Sequence, residues 1–359
     1  SQADCHLHLP SYSGFAVFFT NDPDNVCRSS PVNVPESCDH LAKKQQEHPM
    51  ATPYPSSGSV PPARKRHVVL RWSTLLVTAV VIGYGVAVAM HWDDRGALWV
   101  QESFESTAEQ SESVWLPAYQ VDIDAKPLPG MDDDEASDIA FNPQTRTLFA
   151  VMGKNPFLVE LSLDGNVLRQ IPLHGWNNPE GVAVMEGGHL AIVDERLHDL
   201  TVVKVDAHTT SLKHDDFPSY DLGKSAKSNK GFEAVAWDPL RQRLVIGEER
   251  PPTLYTWGTD GRSPLKGDKQ LLPNDELDLR NLSALGVDPR TGHLLVLSAD
   301  SNMLLELDEQ GQQVSFMTLL GGFNGLEKRI PRAEGVAMDE HGTLYIVSEP
   351  DLFYRFRKP

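Results

Sequence analysis

The sequence predicts an all-β fold, a β-propeller of five four-stranded blades, preceded by one transmembrane helix. Three observations predict it. A strand–turn–strand unit recurs five times downstream of Trp115. Each copy places a small residue at the same point of its first strand: Ala140, Ala183, Ala236, Gly286 and Ala337, spaced 43 to 53 residues apart. Upstream, an uncharged run from Trp72 to Met90 follows the basic cluster Arg64-Lys65-Arg66.

The chain divides into four regions. Residues 1–71 show no periodicity and read as a disordered cytoplasmic segment. Within it, Met50 is a candidate native start, which would make residues 1–49 foreign to the protein. The run 72–90 is long enough, as a helix, to match a hydrocarbon core of about 30 Å. Trp72 and Trp92 bracket it as interfacial anchors would, and the basic residues before it place the N-terminus in the cytoplasm. The expected location is therefore the bacterial inner membrane, single-pass, with the body in the periplasm. The alternative is cleavage after Ala87-Val88-Ala89, as in a signal peptide, which leads to the same compartment. Residues 91–114 are polar and read as a linker, or as a short amphipathic helix. Residues 115–359 hold the repeats.

Each repeat begins with an inner strand, as in Glu180-Gly181-Val182-Ala183-Val184, and returns through a second, as in Leu190-Ala191-Ile192-Val193. Asn142-Pro143, Asp238-Pro239 and Asp288-Pro289 supply tight turns between the two. A period of about 40–50 residues with several strands is the mark of a propeller blade. The small residue fits where inner strands crowd the axis. Third strands follow at 157–161, 200–205, 253–257, 303–307 and 352–356, and fourth strands at 167–171 and 314–319. The fifth copy ends after its third strand, so Tyr119–Ile123 is expected to complete it and close the ring, leaving no open edge. A sixth blade would have to be hidden in 206–230 or 258–280.

Charge and cysteine usage exclude several functions. The formal net charge is -18, and the 44 acidic and 25 basic residues from His91 onward carry all of the excess. Such a body repels phosphate backbones, so no nucleic-acid partner is expected. The three cysteines, Cys5, Cys27 and Cys38, lie outside the repeats, so the body has no disulfide and no thiolate. It also lacks a Gly-x-Ser-x-Gly elbow and a close histidine pair of zinc-ligand spacing.

The repeats line up two columns of polar residues. Three positions before the small residue stand Ser137, Glu180, Glu233, Ser283 and Glu334. Just after the second strand stand Gly153, Glu195, Glu249, Ala299 and Glu349. In a closed ring both columns approach one mouth of the axis. Six convergent glutamates repel unless something neutralises them. A calcium ion bound by Glu180, Glu233, Glu334, Glu195, Glu249 and Glu349 is one answer. Ion pairing with Arg196 and Arg250 is a second, and proton sharing, which makes a general acid or base, is a third.

Several ordered strings link the repeats: Asn178-Pro-Glu-Gly181, Val193-Asp-Glu-Arg196, Lys230-Gly-Phe-Glu233 and Ala333-Glu-Gly-Val-Ala337. Together with the anchor, they resemble the SdiA-regulated family over roughly residues 115–359. The resemblance implies a bacterial envelope propeller, and a bound calcium is the only ligand it carries over. The functional expectation is a membrane-anchored periplasmic binding module for an unidentified envelope ligand or protein, with calcium near the axis. The alternative is a calcium-dependent hydrolase of an ester, lactone or phosphate.

Overall fold

The structure, a computed structural model, describes residues 66–89, 92–104, 106–131, 134–223, 231–259, 261, 265, 267–273 and 279–359. The readings made for residues 1–65, including the candidate start at Met50, lie outside the described residues.

The described residues open with three helices. Helix α1 (Arg66–Ala89) covers nearly all of the uncharged run. Trp72, Leu75, Leu76, Val77, Val80, Val81, Ile82 and Tyr84 on it are all exposed. Among the described residues, no helix is long and apolar enough to cross a membrane. The described part of 91–114 holds helices α2 (Trp92–Glu102) and α3 (Thr107–Glu112).

Strand β1 (Gln120–Pro127) then precedes the first blade: β2 (Ala136–Asn142), β3 (Thr147–Met152), β4 (Phe157–Leu161) and β5 (Val167–His174). The second blade holds β6 (Pro179–Val184), β7 (His189–Asp194) and β8 (Asp199–Lys204). Beyond it, β9 (Leu212–Lys213) returns to pair in parallel with β5, and β10 (Ser219–Asp221) completes the second blade. The third blade is β11 (Phe232–Asp238), β12 (Arg243–Glu248), β13 (Thr253–Gly258) and β14 (Gln270–Leu272). The fourth is β15 (Ala284–Val287), β16 (Leu294–Ser298), β17 (Met303–Leu307) and β18 (Gln313–Thr318). The fifth is β19 (Ala333–Met338), β20 (Leu344–Ser348) and β21 (Leu352–Arg357), closed by β1 from the other end of the domain.

The count is five blades, as the repeat predicts. The stretches that could have hidden a sixth supply only β9, β10 and β14, short outer strands, among the described residues. The closure is antiparallel, from Gln120 opposite Arg357 to Pro127 opposite Leu352.

The fold is held by apolar packing between neighbouring blades. Five buried clusters occupy the five interfaces. One joins Phe149 and Val151 of the first blade to Val182 and Ile192 of the second. The cluster that closes the ring joins Tyr345, Val347 and Phe353 of the fifth blade to Ile139, Leu148 and Val159 of the first. Each fully buried Leu, Val, Ile or Phe in these interfaces contributes about 1.5–3 kcal/mol. The inner strands β2, β6, β11, β15 and β19 contact one another in turn around the axis. Two glycines one position after the serine–glutamate column allow a close approach of neighbouring inner strands. A Cβ on Gly335 would lie 2.8 Å from the Cα of Asp138, and one on Gly181 would lie 2.9 Å from the carbonyl of Glu233.

The turns between inner and second strands follow the sequence. Asp288 accepts the backbone N–H of Arg290 at 2.9 Å, and Asp339 accepts those of His341 and Thr343 at 2.9 and 2.8 Å. Such side chains satisfy turn N–H groups that would otherwise be left without a partner.

Candidate functional site

A repeated backbone device sets the first column. In β2, β6, β11 and β19 the pairing register shifts between Ala136 and Asp138, Pro179 and Gly181, Phe232 and Ala234, and Ala333 and Gly335. The extra residue in each case is Ser137, Glu180, Glu233 or Glu334. A bulged residue leaves the ladder and its side chain is re-aimed. Four of the five column residues are therefore turned out of the ladder by the same local feature.

A second device sets the other column. The backbone N–H of Gly153 donates to the carbonyl of Glu135, and those of Glu195, Glu249 and Glu349 donate to Asn178, Gly231 and Arg332, all at 2.9–3.1 Å. In the fourth blade Ala299 donates instead to the Ser283 hydroxyl at 3.2 Å. These bonds expose a third column, two residues before the first: Glu135, Asn178, Gly231, Asn281 and Arg332.

The side chains of the three columns engage one another. Asn178 Nδ2 donates to Glu180 Oε1 at 2.5 Å and reaches Glu195 Oε2 at 3.2 Å. Arg332 pairs with Glu349 at 2.7 Å and with Glu334 at 3.4 Å. Asn281 donates to Ser283 Oγ at 3.0 Å. The hydroxyls reach across to the next blade: Ser137 bonds Glu180, and Ser283 bonds Glu334.

Electrostatics single out two carboxyls. Burial, helped by the charges of Glu195, Glu334 and Glu349, pushes Glu180 up to about 8, against the hydrogen bond from Ser137. Burial and Glu349 push Glu334 up to about 7, against Ser283 and Arg332. Burial also raises Glu349, while Arg332 pulls it down. Among the described residues, Glu180 forms no ion pair with a cationic side chain.

Of the six glutamates singled out in the sequence, Glu180, Glu195, Glu334 and Glu349 share one electrostatic environment. Glu233 occupies the bulge of β11. Glu249 is buried and held by Arg250 at 3.0 Å, and Arg250 also bonds Asp300. Arg196, the other expected partner, is exposed. Among the described residues, no group of three or more His, Cys, Asp or Glu is arranged to hold a metal ion. In the acidic run 132–135, Asp134 accepts a bond from Asn155, while Asp132 and Asp133 lie outside the described residues.

Sequence reasoning missed Asn178, Asn281, Arg332 and Asp138. Asp138 is fully buried on β2. Its oxygens accept the backbone N–H groups of Ile139 and, from β6, Val182, both at 2.8 Å. Burial holds its carboxyl well above the usual carboxylate range, with Glu180 adding to the shift. The signal was present: Asp138 stands where the other four copies have Gly181, Ala234, Ala284 and Gly335.

The fold and site together define a five-bladed propeller with a glutamate-rich axial mouth. The chain belongs to the SdiA-regulated family, whose profile matches residues 111–357. Among solved structures it is similar to a chain of a nidogen/laminin complex, at 18% identity and a TM-score of 0.42, over 59% of this chain and 72% of that one. It is also similar to a catalytically inactive variant of virginiamycin B lyase from Staphylococcus aureus, with quinupristin, at 12% identity and a TM-score of 0.38, over 64% of this chain and 68% of that one.

Proposed function

We propose that the chain is a membrane-anchored periplasmic binding module whose glutamate mouth takes a divalent cation, calcium first. The observation that carries this reading is Glu180, pushed up to about 8 beside Glu195, Glu334 and Glu349 with no cationic partner among the described residues. Calcium prefers six to eight hard oxygen donors, and the mouth offers that chemistry. Glu180 and Glu334 would hold the ion, with Ser137, Ser283 and the amide oxygen of Asn178 as neutral donors. Two carboxylates balance its charge. Glu249 and Glu349 are held more closely by Arg250 and Arg332, at 3.0 and 2.7 Å, than Glu334 is by Arg332 at 3.4 Å, so the six glutamates do not contribute equally. A bound ion would offset carboxylate repulsion and order the loops around the mouth, where an envelope ligand or protein would dock.

The anchor rests on the sequence, on the basic cluster before residues 72–90, and on the exposed apolar side chains of α1. Fractionation of the native protein and protease protection of a C-terminal epitope test it. Release of the full chain by alkaline carbonate would count against an integral anchor.

Thermal melting of the full chain in calcium and in EDTA tests the site. A ligand that binds only the folded state raises the melting temperature. Calcium is expected to raise it, and Glu180→Gln to remove the shift. No shift in the wild-type chain would remove the calcium reading.

A second reading is favoured by the same carboxyls. Two acids held near neutrality can exchange protons at physiological pH, as a hydrolase acting on an ester, lactone or phosphate would need. A substrate screen with Glu180→Gln and Glu334→Gln controls tests it.

A further inference from the structure

The inner strands all run from the glutamate mouth toward the opposite end of the axis, where the turns after them gather. That end holds a cavity of about 240 Å³. Its wall is apolar: Ala183, Ala236, Gly286 and Ala337 leave the space open, and Phe141, Trp237 and Met338 flank it. An engineered apolar cavity of about 150 Å³ takes up benzene, so this one has room for a bicyclic ring. Met338 and Met185 add adaptable, polarisable surface.

The rim is acidic. Glu186 and Glu340 both line the cavity, with Gln144 beside them. Glu340 Oε1 lies 3.5 Å from both Arg146 and His341, which are largely exposed. Its Oε2 is buried without a hydrogen-bond partner. Arg290, whose guanidinium reaches the sulfur of Met338, is tied by two bonds to Asp288. Asp138, fully buried and bonded to the backbone of β6, stands between this cavity and the glutamate mouth.

We propose that the cavity is a second ligand site, separate from the glutamate mouth, for a small aromatic ammonium compound. The ring fills the space beside Trp237 and Phe141. The cation lies at the rim, where the partly exposed carboxylate of Glu340 accepts its N–H and an aromatic face adds cation–π attraction.

Calorimetric titration of the full chain in lipid nanodiscs with 1-naphthylmethylammonium tests this, with empty nanodiscs as the blank and 1-naphthylmethanol as the neutral comparator. Saturable one-to-one binding is expected, about tenfold tighter for the ammonium than for the alcohol. Glu340→Gln, at the rim, is expected to erase that preference. Val287→Trp, which fills the cavity from its wall, is expected to abolish binding of both compounds, with circular dichroism confirming the fold. Absence of saturable binding, equal affinity for the two probes, or an undiminished preference in Glu340→Gln would overturn the proposal.

Discussion

Glu180 is the residue on which the site turns. Its carboxyl is held at about 8 in the fold, against an ordinary value of 4.5. The folded chain therefore keeps a proton that the unfolded chain releases. The stability linked to that proton is fully present below pH 4.5 and is lost as pH rises to about 8. In EDTA, the melting temperature is expected to fall across this interval. Glu180→Gln should flatten the fall and leave the variant more stable than wild type at the alkaline end. An unchanged slope would mean that Glu180 is solvated after all. Asp138 behaves differently, because its oxygens receive backbone N–H groups from three blades, Ile139 of the first, Val182 of the second and Val336 of the fifth. Asp138→Ala leaves these N–H groups without their acceptor and is expected to cost about 2–6 kcal/mol in chemical denaturation, at about 1–3 kcal/mol for each of the two bonds at 2.8 Å. Asp138→Asn, whose amide oxygen still accepts one, should cost less. Both glutamate columns were legible because they repeat. Arg332, Asn178 and Asn281 were not, because their column carries five positions of four different kinds. Only the backbone bonds from Gly153, Glu195, Glu249 and Glu349 reveal it as a column.

At the scale of elements, the bulges and the blade contacts do the positioning. Strand boundaries were readable wherever alternation was strong: β4 and β17 fall where the apolar runs predict them. The bulges were not readable, because one extra residue leaves the hydrophobic pattern of the strand intact. The outer strands β10 and β14 were missed because they are three residues long and lie among polar residues. The closing strand was expected at 119–123 and runs to Pro127. Its middle pairs irregularly, with register shifts between Val121 and Lys126 that blur any alternation. Residues 91–114 prove partly packed. Leu98 of α2 lies against the core between the third and fourth blades, and Glu102 accepts the backbone N–H of Phe316 at 2.7 Å. The helix thereby covers the outer strand β18, a standard way to protect a sheet edge. Where the chain enters the ring, buried Glu306 accepts the backbone N–H groups of Val114 and Trp115 at 2.7 and 2.9 Å. Between the inner strands of the fifth and first blades Gly335 is a tight point, where a Cβ would lie 2.8 Å from the backbone of Asp138, as well as 2.6 Å from Val347 within its own blade. Gly335→Ala must push the fifth and first blades apart. It is expected to cost about 1–3 kcal/mol, read as a lower denaturation midpoint. A neutral substitution there would mean that the blades are packed more loosely than described.

For the molecule as a whole, one axis carries two unlike ends. Three of the five inner strands start with a column glutamate, all five go on to line the apolar cavity, and Asp138 lies between the two ends. The acidic body suits cationic ligands at either end, and it also keeps phosphate backbones away. Family membership and five-bladed closure agree with the repeat read from the sequence. The use made of the glutamate mouth reduces to one question of proton and metal. Calorimetric titration of the full chain with calcium, in two buffers of different ionisation enthalpy near neutral pH, answers it most directly. Because Glu180 and Glu334 hold protons at about 8 and about 7, a bound ion must displace them. The account predicts saturable binding of one calcium with about one proton released, and loss of both in Glu180→Gln. Absence of binding, or binding with no proton released and no effect of Glu180→Gln, would contradict it.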